Sequence, residues 1–238
     1  MIEVDRLMIE SFGISLEQMM ENAGRNLALL TKKMLSGKII NKKICIIVGN
    51  GNNGGGGLVA ARHLSNWGAE VTVLVATPSA NFKPVPARQL EIVRHLPISV
   101  VFAGNQEEYI DWCSCQLIID AILGYGLNRK PDSMVAQIIE KINSQSCPVI
   151  SLDAPSGINT TDGYISDIIV RANSTLTLAL PKTGLVKNEV KDFVGNLYIG
   201  DISVPPLLYC RLGLQVDSLF EKDPIINYSD INDRVEVL

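Results

Sequence analysis

Lys43-Ile44-Cys45-Ile46-Ile47-Val48, then Gly49-Asn50-Gly51-Asn52-Asn53-Gly54-Gly55-Gly56-Gly57, then Leu58-Val59-Ala60-Ala61-Arg62-His63-Leu64 is the stretch that decides the fold. The first run is apolar and rich in isoleucine, as a strand buried on both faces requires, and the last is amphipathic at helical spacing. Between them lie six glycines and three asparagines in nine residues. Such a segment reads as a loop whose backbone comes close to a ligand, leading into a helix whose first N–H groups are free to hold phosphate. Gly49, Gly51 and Gly54 fit the pattern G-x-G-x-x-G. The next apolar run, Glu70-Val71-Thr72-Val73-Leu74-Val75, lacks the acid at its end that grips a ribose in a standard dinucleotide fold, and no Gly-Lys-Ser/Thr follows the glycines.

Outward from that unit the pattern repeats. Apolar runs at 43–48, 70–76, 98–102, 116–121, 148–153, 174–179 and 196–200 alternate with helical or loop segments, among them Pro84 to His95 and Ser133 to Ile142. Alternation of this kind predicts one α/β domain over 1–238 with a mostly parallel central sheet and helices on both faces. Ser15 and Gln18 form a capping box, and Leu16, Met19, Met20, Ala23, Leu27, Leu30 and Met34 recur at helical spacing, so a long helix is expected over 15–35. From about 213 the chain turns polar and acidic, a tail expected to be a loose arm or a packing element for a second subunit; the protein is expected to be a homo-oligomer, a dimer.

With 238 residues, 47% of them hydrophobic, the chain is long enough to bury a large core. A net charge of −4 without a cluster of Lys and Arg argues against nucleic acid as a partner. The start, Met1-Ile2-Glu3-Val4-Asp5, is acidic where a signal peptide is basic, and no apolar run approaches membrane-spanning length, so a cytoplasmic protein with no membrane partner is expected. Five cysteines without C-x-x-C spacing read as reduced residues placed mostly in apolar strands.

In an open α/β sheet the ligand lies beyond the C-terminal ends of the strands. Besides the Gly/Asn segment, two strand ends here deliver an acid into a turn: Leu117-Ile118-Ile119-Asp120-Ala121-Ile122-Leu123-Gly124-Tyr125-Gly126-Leu127-Asn128-Arg129, with Lys130 behind it, and Val149-Ile150-Ser151-Leu152-Asp153-Ala154-Pro155-Ser156-Gly157. Either acid alone could simply bond turn amides; two of them beside glycine turns point to a site. Arg129 and Lys130 suit a phosphate-bearing ligand. Asn53, Asp120 and Ser156 offer hard oxygen donors, suited to an alkali or alkaline-earth cation and poor for zinc. Ser156 lacks the first glycine of a nucleophile elbow, His63 and His95 fall within predicted helices, and Lys182-Thr183-Gly184 has no Ser-x-x-Lys to accompany it, so hydrolase triads are set aside. Lys182 reads as free to reach the site from a turn.

Taken together, these segments resemble the NAD(P)H-hydrate epimerases, the YjeF N-terminal-domain family. Ser15 to Gly24 resembles the family's opening helix, and the Gly/Asn segment with Leu58 to Leu64, the Asp120 to Gly126 turn, Asp153-Ala154-Pro155-Ser156-Gly157 and Leu180-Pro181-Lys182-Thr183-Gly184 follow in family order. The resemblance implies a three-layer α/β/α Rossmann-like sandwich and an enzyme that interconverts the R and S forms of hydrated NADH or NADPH (NADHX, NADPHX). It implies that Asn52, Asn53, Gly54, Gly55, Gly56, Gly124, Tyr125, Gly126, Leu127, Asn128, Arg129, Lys130 and Asp153 bind the hydrated nucleotide, and that Asn53, Asp120 and Ser156 hold a potassium ion. Where the family usually shows Asn-Asn-Gly-Gly-Asp-Gly, this chain has Gly56 in place of the acid.

The substrate's hydroxyl sits beside the ring nitrogen, whose lone pair helps expel it to an iminium, after which water returns on either face. That step needs a proton donor and acceptor and charge stabilisation, the expected catalytic roles of Asp153 and, assisting it, Lys182. A nucleotide-binding or scaffold domain without turnover is the alternative from a different class, and a nicotinamide-dependent dehydrogenase a third, disfavoured by the missing ribose acid. The chain is expected to be the epimerase unit alone, reliant on a separate dehydratase.

Overall fold

Of the eight strands among the described residues, seven fall where the apolar runs predict: β1 (Lys43–Val48), β2 (Glu70–Val75), β3 (Ser99–Phe102), β4 (Leu117–Ala121), β5 (Val149–Leu152), β6 (Ser174–Leu178) and β7 (Asn196–Gly200). The computed structural model describes residues 1–77, 82–104, 110–125, 131–163, 166–216 and 219–231. One sheet holds these eight strands in the order β3-β2-β1-β4-β5-β6-β7-β8, parallel except for the last pair. The strand β8 (Ile225–Asn227) pairs antiparallel with β7, Gly200 opposite Ile225. The polar tail, expected to be a loose arm or a packing element for a second subunit, thus contributes an edge strand to this sheet: two isoleucines among the acids are enough once β7 offers its free side, while residues 232–238 lie outside the described part.

The two faces of the sheet are covered by different helices. Ile44, Ile46, Val48, Val73, Val75, Leu117, Ile119 and Leu152 point to the side packed by α2 (Leu16–Met34), α3 (Asn52–Asn66) and α4 (Pro84–Arg94). The alternate residues Cys45, Ile47, Leu74, Ile118 and Val149 point to the other side, against Val135, Ile138, Ile139 and Ile142 of α5 (Ser133–Asn143). This is the three-layer sandwich, and the strand period of two is what divides the core. Helix α2 starts as predicted: the Ser15 amide donates to Gln18 Oε1 at 2.8 Å and the Gln18 amide to Ser15 Oγ at 3.3 Å.

Two parts of the reading need correction. The chain begins with a helix, α1 (Ile2–Phe12), which buries Val4 and Met8 and ends at Gly13 in the left-handed conformation; Glu3 and Asp5, taken only as evidence against a signal peptide, are the first-turn acids that favour a helix start. The glycine segment is not a loop throughout either. Helix α3 starts at Asn52, so Gly54 to Gly57 are helical and buried, and no glycine from Gly49 to Gly57 has positive φ.

Space, not backbone freedom, explains these glycines. A Cβ on Gly54 would lie 1.9 Å from the Gly49 carbonyl oxygen, and one on Gly57 would lie 2.7 Å from Ala121 Cβ and 2.9 Å from Val48 Cγ1. Across the helix pair, a Cβ on Gly24 of α2 would lie 2.4 Å from Val59 Cβ and 2.6 Å from the Gly56 carbonyl oxygen. Four helical glycines cost about 1 kcal/mol each against alanine, and the close seating of α3 on the sheet and on α2 is what offsets that loss. Of the five cysteines, all free, only Cys45 lies in a strand; Cys113 and Cys210 are exposed.

Candidate active site

Strand order reverses between β1 and β4, and there, at the C-terminal ends of the strands, a cavity of about 490 Å³ opens. The turn after β1 and the start of α3 supply Asn50, Gly51, Asn52, Asn53 and Gly56; the turn after β4 supplies Ile122, Leu123, Gly124 and Tyr125; the end of β5 supplies Leu152 and Asp153. Gly54 and Gly55 stand behind this wall as packing positions, and Gly126, Leu127, Asn128, Arg129 and Lys130 lie outside the described residues.

Asp153 is the best-held polar group of the cavity. Its Oδ1 accepts a 2.8 Å hydrogen bond from Lys182 Nζ and its Oδ2 one of 2.8 Å from the Tyr125 amide. Its φ is +66°, a conformation that costs a non-glycine residue about 1–3 kcal/mol and that here aims the carboxylate into the strand-end crevice. Lys182 is 3% exposed, and Nζ also donates to Thr177 Oγ1 and to the Leu178 carbonyl, both at 2.8 Å. All three of its hydrogens are therefore used, and it supports Asp153 from behind instead of reaching into the cavity.

Asp120 and Ser156 meet, as the cation expectation requires, but beneath the cavity floor. Asp120 is fully buried; Oδ1 accepts from Ser156 Oγ (2.6 Å) and the Ile122 amide (3.2 Å), Oδ2 from Ser151 Oγ and the Ser156 amide (2.8 Å each). Burial pushes its carboxyl above the usual range, against the pull of these four hydrogen bonds. All four donors are neutral, so this is a buried acid without a cationic side chain bonded to it among the described residues. Asn53 lies across Gly124 from Asp153: a Cβ on Gly124 would be 3.2 Å from Asn53 Cγ and 3.0 Å from Asp153 Oδ2. The buried Nδ2 of Asn53 has no hydrogen-bond partner among the described residues.

Several cavity residues carried no signal in the sequence. Asp5 on α1 lines the cavity and accepts a hydrogen bond from the Tyr125 hydroxyl, 120 residues away in the chain. Burial raises the Asp5 carboxyl above its ordinary range and, with the Asp5 bond, holds the Tyr125 hydroxyl protonated well past its ordinary value. Leu16, Met19, Met20 and Ala23 of α2 form an apolar wall, and Lys83, at the start of α4, is a cation at the rim. Amphipathic periodicity identifies the buried face of α2 but not that part of it faces a ligand cavity. Gly56 lines the same wall, and a Cβ there would meet only Leu152 Cδ2, at 2.7 Å.

Comparison with known proteins gives a consistent result. The family model described as YjeF-related protein N-terminus matches residues 16–184. The chain is 38% identical over 220 residues to an NAD(P)H-hydrate epimerase of Dehalogenimonas lykanthroporepellens, covering 90% of this chain and 84% of that protein. It is 35% identical over 225 residues to a bifunctional NAD(P)H-hydrate repair enzyme of Thermofilum pendens, covering 93% of this chain but 42% of that longer protein. Among solved structures, the crystal structure of yeast YNL200c superposes with a TM-score of 0.80 at 26% identity, covering 95% of this chain and 96% of that one.

Proposed function

Because the chain belongs to the family of YjeF-related N-terminal domains, we infer that it is an NAD(P)H-hydrate epimerase, which interconverts the R and S forms of hydrated NADH and NADPH and so serves the repair of nicotinamide nucleotides. The observation that carries this reading at the level of chemistry is the Asp153 carboxylate, strained, buried and doubly hydrogen-bonded at the wall of the strand-end cavity. A carboxylate so fixed stabilises positive charge as the ring nitrogen's lone pair expels the hydroxyl, without having to reorganise during the reaction. In this reading Asp153 is the catalytic group facing the reacting carbon, and Lys182 is a positioning residue that fixes its orientation. The amides at the start of α3 hold phosphate oxygens, Asn52, Asn53, Gly56, Gly124 and Tyr125 line the nucleotide, and the apolar wall of α2 packs against it.

A potassium ion is proposed as the resident cofactor, held by Asn53, Asp120 and Ser156. Support comes from the donor chemistry among the described residues: a buried carboxylate with only neutral donors bonded to it, and a buried amide nitrogen on Asn53 without a partner, whose oxygen would take that nitrogen's place if the amide turned over. The Ser156 hydroxyl would then turn its hydrogen away from Asp120. The ion would supply the positive charge that this acid lacks.

Incubation of purified protein with the separated R hydrate, followed by chromatography, tests the function: equilibration to both epimers is expected. Binding without turnover would leave a nucleotide-binding domain, and hydride transfer a dehydrogenase. The same preparation yields the mass that tests the expected dimer.

A further inference from the structure

Epimerisation moves a proton onto the departing hydroxyl and off the returning water, and neither Lys182 nor Asp153 is placed to donate it. Lys182 has three acceptors for its three hydrogens and does not line the cavity. Asp153 accepts from both of its neighbours, which suits an ionised carboxylate. Neither histidine lines the cavity, and His63 is engaged with Glu21 at 2.8 Å. The titratable side chains that do line the cavity among the described residues are Asp5, Lys83, Tyr125 and Asp153. Lys83 is an exposed rim residue, and the Tyr125 hydroxyl is committed to Asp5.

We propose that Asp5, delivered by the N-terminal helix, is the acid–base residue of this site, giving a proton to the departing hydroxyl and recovering one from the returning water. The inference rests on the epimerase reading. Tyr125 fixes one oxygen, Oδ2, and among the described residues no hydrogen bond engages Oδ1. As the carbon–oxygen bond breaks, its electron pair leaves with the oxygen and the Asp5 proton joins it, so water departs while the ring nitrogen's lone pair closes the iminium. Water then adds to the same carbon from either face and returns its extra proton to Asp5, with no net oxidation or reduction. Burial favours the protonated form of Asp5 and the charge of Asp153 adds to that, while the Tyr125 hydrogen bond, the Met1 amino group and Lys182 oppose it. The α2 residues that line the same cavity, Leu16, Met19, Met20 and Ala23, are uncharged, and Lys83 is the remaining side-chain cation lining it among the described residues.

The test is the steady-state epimerisation rate of wild type, Asp5→Asn, Asp5→Glu and Tyr125→Phe against pH. Asp5→Asn keeps an acceptor for Tyr125 but has no proton to give: kcat is expected to fall at least tenfold with KM within twofold, and Asp5→Glu to recover part of kcat. Wild-type kcat is expected to fall on the alkaline side, with a midpoint above the ordinary Asp value of about 3.9. Tyr125→Phe removes a bond that favours the ionised form, so it moves this limb to higher pH. Should Asp5→Asn not fold, a flat wild-type alkaline profile still overturns the proposal. An active wild type with an equally active Asp5→Asn, or a loss confined to KM, overturns it while leaving the epimerase reading in place. An inert wild type removes both.

Discussion

Lys182 and Asp153 illustrate how little a residue's type says about its job before its neighbours are known. Both were recognisable in the chain as polar groups at turns, yet the lysine reads from sequence as a side chain free to reach a ligand and proves to be buried with its acid, each side chain 4% exposed. Removing one member leaves the other's charge without a partner, which costs about 3–5 kcal/mol. Lys182→Met is therefore expected to lower the unfolding free energy measured by urea denaturation by that much, and Lys182→Met/Asp153→Asn to recover part of it, because no bare charge remains. A single variant within about 1 kcal/mol of wild type would mean that the pair does not hold this turn. At Gly56, the position that departs from the family pattern, even a Cβ would require the buried Leu152 to shift, since its Cδ2 would lie 2.7 Å away. Asp5 was invisible as a site residue, since nothing local to an acidic first helical turn encodes its approach to Tyr125.

Helix α3 is the element where sequence reasoning and structure part most usefully. Propensity places its start at Leu58, after the glycines, because glycine is a poor helix former; tertiary contact moves the start back to Asn52. The glycines then differ in what they tolerate. A Cβ on Gly54 meets the backbone oxygen of Gly49 at 1.9 Å, which neither chain segment can easily vacate, whereas a Cβ on Gly55 meets chiefly Met20 Sδ and Cε at 2.5 and 2.6 Å, the movable end of a flexible side chain, with Pro86 Cγ at 3.2 Å. Gly54→Ala is expected to destabilise by about 3 kcal/mol or more and to lower affinity for the nucleotide. Gly55→Ala is expected to lie within about 1 kcal/mol of wild type, since the gain in helix propensity of about 1 kcal/mol offsets the displacement of Met20. Thermal or denaturant unfolding of the two variants side by side measures this; equal losses would contradict an argument from space.

At the scale of the whole molecule, the parallel sheet brings the ends of β1, β4, β5 and β6 to one edge, so residues more than 100 positions apart share one polar floor. If potassium is held there, it binds the folded chain and not the unfolded one, and contributes about 2.7 kcal/mol when present at a hundredfold its Kd. The thermal midpoint is then expected to be several degrees higher in potassium chloride than in choline chloride at the same ionic strength, a difference that Asp120→Asn abolishes. Identical wild-type midpoints in the two salts would remove the ion from the site. By itself the sequence determined the seven parallel strands, the capped helix α2 and the two strand-end acids Asp120 and Asp153, because strand and helix periods and turn chemistry are local properties carried by neighbours in the chain. Only the tertiary structure decided that the glycines of α3 provide closeness, that Lys182 is a buried support, that Ile225 to Asn227 close the sheet edge and that Asp5 reaches the cavity from α1. Each of these depends on which distant segment packs against which, and no local pattern of residue types contains that.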